Sequence, residues 1–365
     1  MWSNLPFDLL ENIFTYLPPD SLARAKAACR SWHVAAESVS TSAVTRRHPP
    51  WFLALPTHSW SLPCYLHNPI ADSWRSLPLD ATANAVKPIA ALGGLLLAKF
   101  ASSTSLQLAI FNPLTKQLRY LPALNVPRTN PAVGIVESCS NQTAGFKIYI
   151  AGGMSAAKTG GGATYQQTVE VYDSSTGGWE TIGKMPFEIA VRLTVWTPNE
   201  SVLSNGTLYW MTSARAYSVV GLDVSTSTCA WQELSVPMAD ELVFAALVPR
   251  NGKVALAGGT CAGDGGVWEL GDDEGWSLIG KVPVELGVRL LGVTANWGRV
   301  KCVGVEGAVC LYRDLGSGMI VWRDAFGDGD WEWDWIDGCS IGGRQIWNIP
   351  VRGFFIYPNL NRSRF

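Results

Sequence analysis

Residues 169–186, VEVYDSSTGGWETIGKMP, decide the architecture. Val169, Val171 and Tyr172 are strand formers, and the run ends in Asp173. Residues 174–178 are turn chemistry: glycine reaches positive φ without a Cβ penalty, and serine competes for backbone hydrogen bonds. Trp179 then opens a second strand, closed by Met185 and Pro186. The stretch therefore reads as a hairpin. One hairpin cannot bury its own apolar face, so it must be one of several.

The chain repeats it. Tyr65-Leu66-His67-Asn68-Pro69 leads to Trp74 and Leu77-Pro78, and Ile110-Phe111-Asn112-Pro113 leads to Leu118 and Leu121-Pro122. Val220-Gly221-Leu222-Asp223 leads to Trp231 and Val236-Pro237, and Val267-Trp268-Glu269-Leu270 to Trp276 and Val282-Pro283. Cys310-Leu311-Tyr312-Arg313-Asp314 leads to Trp322. The copies stand roughly 45–60 residues apart, a period that fits propeller blades. Upstream strands end in Gly-Gly at 148–153 (IYIAGG) and 254–259 (VALAGG), more loosely at 91–94, and Asn205-Gly206 reads as a tight turn inside a blade.

Strand, Gly-Gly, strand with Tyr-Asp, turn, Trp strand: from Trp51 to Tyr357 this order resembles the kelch repeat. The resemblance implies a mainly β chain folded as a kelch-type β-propeller of four-stranded blades. Six copies favour six blades. The tail, with residues 336–341 and 354–357, would either close the ring on the first blade or supply a seventh. The periodic tryptophans read as core. Trp331-Glu332-Trp333-Asp334-Trp335 alternates as a strand with three indoles on one face, either core or an aromatic contact surface.

Before the repeats lies a different pattern. Pro6 presets the first turn of a helix, and Leu9, Leu10, Ile13, Phe14 and Leu17 follow on one helical face until Pro18-Pro19 ends it. Asp20 or Ser21 can cap a second helix whose stripe runs through Leu22, Ala25, Cys29, Trp32 and Ala36. Two domains follow, residues 1–48 and 49–365. By itself the first reads as a small helical cap on the ring. The order Leu5-Pro6, Leu9-Leu10, Ile13, Leu17-Pro18, Leu22, Cys29 and Trp32 is sharper and resembles the F-box, with Ala28 where that motif usually has valine. The resemblance implies that these residues bind a Skp-type adaptor and, through it, a cullin ubiquitin-ligase scaffold. F-box followed by kelch propeller resembles the plant-type substrate receptors of SCF ligases, so the chain is expected to be a non-catalytic subunit that tethers a protein for ubiquitination. The alternative is a propeller interaction module or scaffold with no ligase role.

The 365 residues are 47% hydrophobic and 16% charged, which suits a packed core and excludes disorder. A net charge of −2 argues against nucleic-acid binding. No apolar run is long enough to span a membrane, and no secretory signal is visible, so the expected location is the cytoplasm, the nucleus or both. The cysteines show no C-x-x-C spacing and read as reduced thiols.

Arg128, Arg192, Arg215 and Arg289 lie on segments that leave four blades toward one end of the ring. They are expected either to form a cationic mouth for an acidic or phosphorylated protein segment or to pin neighbouring loops. Residues 154–167, with three consecutive glycines, read as a recognition loop or an unstructured one. No cofactor is expected. Gly152 to Thr159 misses the second glycine of a phosphate loop. All four histidines precede Asn68, which removes copper chemistry and a Ser-His-Asp arrangement from the propeller. Glycosidase-type Asp-box turns are absent, and the acids of 324–337 lack the spacing of a calcium loop.

Overall fold

The computed structural model describes residues 5–38, 48–57, 63–78, 86–100, 105–139, 144–156, 162–196, 200–213, 216–226, 228–292, 296–324, 329–347 and 349–360. Five of the six hairpins of the repeat are the outer halves of four-stranded antiparallel sheets, and six such sheets occur among these residues. In order from inner to outer strand, blade one is Val351–Ile356, Trp51–Pro56, Cys64–Asn68 and Ser73–Leu77. Blade two is Val86–Leu92, Leu95–Phe100, Leu108–Phe111 and Leu118–Tyr120. Blade three is Ala132–Cys139, Ala144–Ala151, Thr168–Asp173 and Gly178–Lys184. Blade four is Ser201–Ser204, Thr207–Ser213, Tyr217–Asp223 and Trp231–Ser235. Blade five is Leu242–Arg250, Lys253–Thr260, Gly265–Leu270 and Trp276–Lys281, and blade six is Lys301–Val305, Ala308–Tyr312, Met319–Asp324 and Trp331–Ile336. The first strands neighbour one another around the ring, so they line its axis.

The tail closes the ring. Val351–Ile356 pairs along its whole length with Trp51–Pro56, so the last described strand is the innermost strand of the first blade. Residues 336–341 add no strand to that closure: Ile336 ends the outer strand of blade six, and Ser340–Ile341 pairs locally with Arg344–Gln345 while packing beside the outer strand of blade one.

Two details of the repeat differ from the sequence reading. In blade six the third and fourth strands are Met319–Asp324 and Trp331–Ile336, so Trp331, not Trp322, holds the position of Trp179. The reading picked the preceding hairpin because Tyr312 and Asp314 imitate the Tyr-Asp signature. The Trp331–Trp335 alternation is thus an outer strand, with Trp333 stacked on Trp322. Gly93-Gly94 joins the first two strands of blade two instead of following the second.

The Asp or Asn that ends the third strand has a direct physical role. Asn68, Asn112, Asp173 and Asp223 each accept, through Oδ1, the backbone N–H two residues on, at 2.8–2.9 Å. The side chain therefore closes the turn that starts the outer strand. Asp223 also accepts from the hydroxyls of Ser225, at 2.7 Å, and Thr226, at 2.8 Å. These bonds, Ser225 first, hold its carboxyl down at about 2. A carboxylate depressed in the folded state stabilises it fully above the ordinary range near 4, and that contribution is lost as pH falls through about 2. NMR titration should place Asp223 near 2 and move it upward in Ser225→Ala; a value near 4 in the unmodified chain would refute the geometry.

The tryptophans cement neighbouring blades. The indole N–H of Trp179 donates to Pro122 O at 2.9 Å, that of Trp276 to Ser235 O at 2.9 Å and that of Trp74 to Asp337 O at 3.0 Å. In each case an outer strand holds a carbonyl at the outer edge of the preceding blade. Trp210, fully buried, donates to Val133 O at 2.9 Å, fixing blade four on blade three. Between blades five and six, Trp297 lies against the backbone of Gly259, where a Cβ would stand 2.3 Å from its ring. That contact explains one Gly-Gly signature, since only glycine leaves room for the indole.

Among the described residues, five longer helices complete the fold: α1 Phe7–Thr15, α2 Pro19–Ala28, α3 Arg30–Ser38, α4 Phe187–Trp196 and α5 Val284–Leu291. The stripe from Leu22 to Ala36 spans two helices, because the backbone is extended at Cys29 (φ −161°, ψ 168°). Asp20 does not cap α2. Residues 154–156 and 163–165 pair as a short hairpin, and 157–161 lie outside the described residues.

Candidate functional site

The first three helices make their own small core from Leu10, Phe14, Ala25, Ala35 and Ala36, with Leu5, Leu17, Leu22 and Trp32 packed on it. Phe14 and Trp32 meet edge to face at 5.5 Å. This core splits the apolar stripe of α1. Leu10 and Phe14 turn inward, whereas Leu9 and Ile13 stay outside, 46% and 43% exposed, beside exposed Phe7 and Tyr16. Of the residues singled out in the sequence, Pro6, Leu9, Ile13 and Cys29 are exposed, and Leu5, Leu17, Pro18, Leu22 and Trp32 are half-buried. Leu10 is buried, so it holds α1 in place and offers no surface. An uncovered Leu/Ile pair on a helix this short, above a core this small, is a surface suited to a partner.

The helices are fixed to one end of the ring. Asp20 pairs with Arg75 of blade one at 2.9 Å and accepts from Asn68 Nδ2 at 3.0 Å. Lys26 pairs with Glu37 at 2.5 Å and donates to Leu360 O at 3.2 Å. Asn68, Trp51 and Ile356 mark the same end of blade one, since Asn68 ends its third strand and Trp51 opposes Ile356. The links from each outer strand to the next blade leave at the opposite end. That opposite end carries α4 and α5.

The sequence reading places Arg192 and Arg289 on segments leaving their blades, and in the structure those links are helical, α4 and α5. The segments share one pattern, Lys-x-Pro-x-Glu-x-x-Val-Arg-Leu, at 184–193 and 281–290, which could have revealed both helices. Arg192 pairs with Glu233 on the outer strand of blade four. Arg289 pairs with Asp337 at 2.7 Å and lies 4.1 Å over the Trp335 ring, at the outer edge of blade six. Arg128 is fully buried. Its Nε donates to Val126 O, Nη1 to Gly152 O and Thr168 O, and Nη2 to Thr168 Oγ1 and Glu170, which uses all five N–H groups. Arg215 lies outside the described residues. The three described arginines therefore form no cationic mouth. Each one pins a link to an acid of the blade that follows, a long-range pairing that spacing along the chain does not disclose.

Residues 2–41 match the F-box-like family, and residues 73–244 match the F-box associated beta propeller domain. F-box only protein 6 of Arabidopsis thaliana is 24% identical over 95% of this chain and 72% of its own length. An F-box/kelch-repeat protein of the same plant is 26% identical over 100% of this chain and 88% of its own, and a second is 25% identical over 78% and 73%.

Proposed function

Since the chain belongs to the F-box proteins, with an F-box-like segment followed by an F-box associated β-propeller, we propose that it is the substrate-recognition subunit of an SCF-type ubiquitin ligase. The helices of residues 7–38 dock on a Skp-type adaptor and reach a cullin scaffold through it. The propeller holds a protein target at its far end. The subunit itself is non-catalytic: it raises the effective concentration of a target lysine near a charged conjugating enzyme, and the transfer chemistry belongs to the scaffold's other partners. It works in the cytoplasm, the nucleus or both.

The observation that carries this reading is the outward pair Leu9 and Ile13, beside exposed Phe7, on a helix whose Leu10 and Phe14 are already buried in its own small core. Asp20 on α2 holds the helical segment to the ring through its ion pair with Arg75 and the hydrogen bond from Asn68, so the docked adaptor and the target would sit at opposite ends of the molecule. The full chain is expected to co-purify with the adaptor, and Leu9→Ala with Ile13→Ala to lower that capture at least tenfold, about 1.4 kcal/mol, without lowering the melting temperature. Undiminished capture by the double variant removes the reading.

A further inference from the structure

The end of the ring away from the helical segment carries positive charge that the link arginines do not supply. Lys87, near the start of the inner strand of blade two, is paired in register with Lys99, near the end of the second strand. Lys301 opens the inner strand of blade six, and Arg352 stands near the start of the inner strand of blade one. Two bonds draw the groups together across blade boundaries. Arg352 Nη2 donates to Ile89 O at 2.7 Å, which lays a blade-one guanidinium on the inner strand of blade two. Lys301 Nζ donates to Val351 O at 2.6 Å, beside Arg352.

Compensating acids are few among the described residues. Glu200, at the entry to blade four on the far side of the ring, pairs with Arg352 at 2.8 Å. Asp314, near Lys301, is engaged by the N–H groups of Gly316 and Ser317 and by the Ser317 hydroxyl. Among the described residues, the Lys87 and Lys99 side chains make no hydrogen bond and no ion pair, although Lys99 is half-buried. Burial, then repulsion from Lys87 and Arg352, holds the Lys99 ammonium below its ordinary pKa. Burial, then Arg352, does the same to Lys301 against the pull of Asp314. Like charges crowded in this way disfavour one another until an anion arrives.

We propose that Lys87, Lys99, Lys301 and Arg352 form an anion-binding mouth on the propeller axis for an acidic stretch of a protein, bearing carboxylate or phosphate, with Glu200 as the internal competitor for Arg352. The ammonium groups supply point charges and the guanidinium a two-pronged donor, chemistry shared by both kinds of anion. Calling that stretch part of the ubiquitination target rests on the receptor reading above; the binding itself does not.

The test is fluorescence anisotropy of the full chain with two labelled peptides of equal length, one of glutamates and one of alternating phosphoserine and glycine, at about 50 mM salt. At least one peptide is expected to bind. Lys87→Ala with Lys99→Ala should weaken that binding about tenfold with unchanged melting, since neither side chain makes a bond. Glu200→Gln should tighten it about threefold by releasing Arg352. Preference for one peptide identifies the anion. Binding of neither, or equal binding by the double lysine variant, overturns the proposal. Adaptor capture on the same samples separates the two readings: capture without peptide binding removes the mouth alone, and peptide binding without capture removes the receptor role alone.

Discussion

Arg128→Met is expected to lower stability by about 3–5 kcal/mol, a large share of the total of a marginally stable domain. The arginine and Glu170 are both fully buried. Glu170 also accepts the backbone N–H groups of Asn125, at 2.7 Å, and Val126, at 3.1 Å, so it ties the link between blades two and three to the third strand of blade three. Without the guanidinium a carboxylate remains in the interior with its cationic partner, one of its three donors, gone. Glu170→Gln in the Arg128→Met background should recover part of the loss, because an amide oxygen still accepts from Asn125 and Val126. Urea unfolding at pH 7 reads both effects. A loss under about 1 kcal/mol, or no recovery in the double variant, would falsify the account.

The same residue marks where the sequence stops being legible. Turn chemistry and strand alternation are local, and they located the outer hairpins of five blades correctly, because Asp173, Asp223 and their equivalents act on neighbours two residues away. Blade six was misread by one strand because Tyr312 and Asp314 copy the local signal while serving a different loop. The helical segment was legible as a stripe, but its division into an inward Leu10 and Phe14 and an outward Leu9 and Ile13 depends on α2 and α3 lying against it. The charged groups were least legible. Arg128, Arg192 and Arg289 find acids 42, 41 and 48 residues away in sequence. The lysines at the axis converge only because the ring closes. Position along a chain says which end of a blade a residue leaves from; it says nothing of whether a carboxylate waits there.

Ring closure itself sets the second large effect. A chain ending after Pro350 lacks the inner strand of blade one, and Trp51–Pro56, buried at every position, loses its partner along six register pairs. Val351, Phe354, Phe355 and Ile356 are buried in the full chain. At roughly 1.5–3 kcal/mol for each apolar side chain, their removal takes away about 6–12 kcal/mol, as much as a whole domain's stability. Blades one and six also lose contact, since Phe52, Phe355 and Tyr312 share one core cluster. The backbone N–H of Gly353, moreover, donates to the Tyr312 hydroxyl at 2.6 Å. The truncated chain is therefore expected to have no cooperative melt and to be cut by protease within the propeller, while a chain ending after Leu360 keeps its strand and melts within a few degrees of the full protein. The helical segment has its own core, so adaptor capture by the shorter chain would persist where target binding fails. A cooperative melt for the chain ending at Pro350, close to that of the full protein, would mean that five and three-quarter blades close on their own and that the pairing of Val351–Ile356 with Trp51–Pro56 is incidental to the ring.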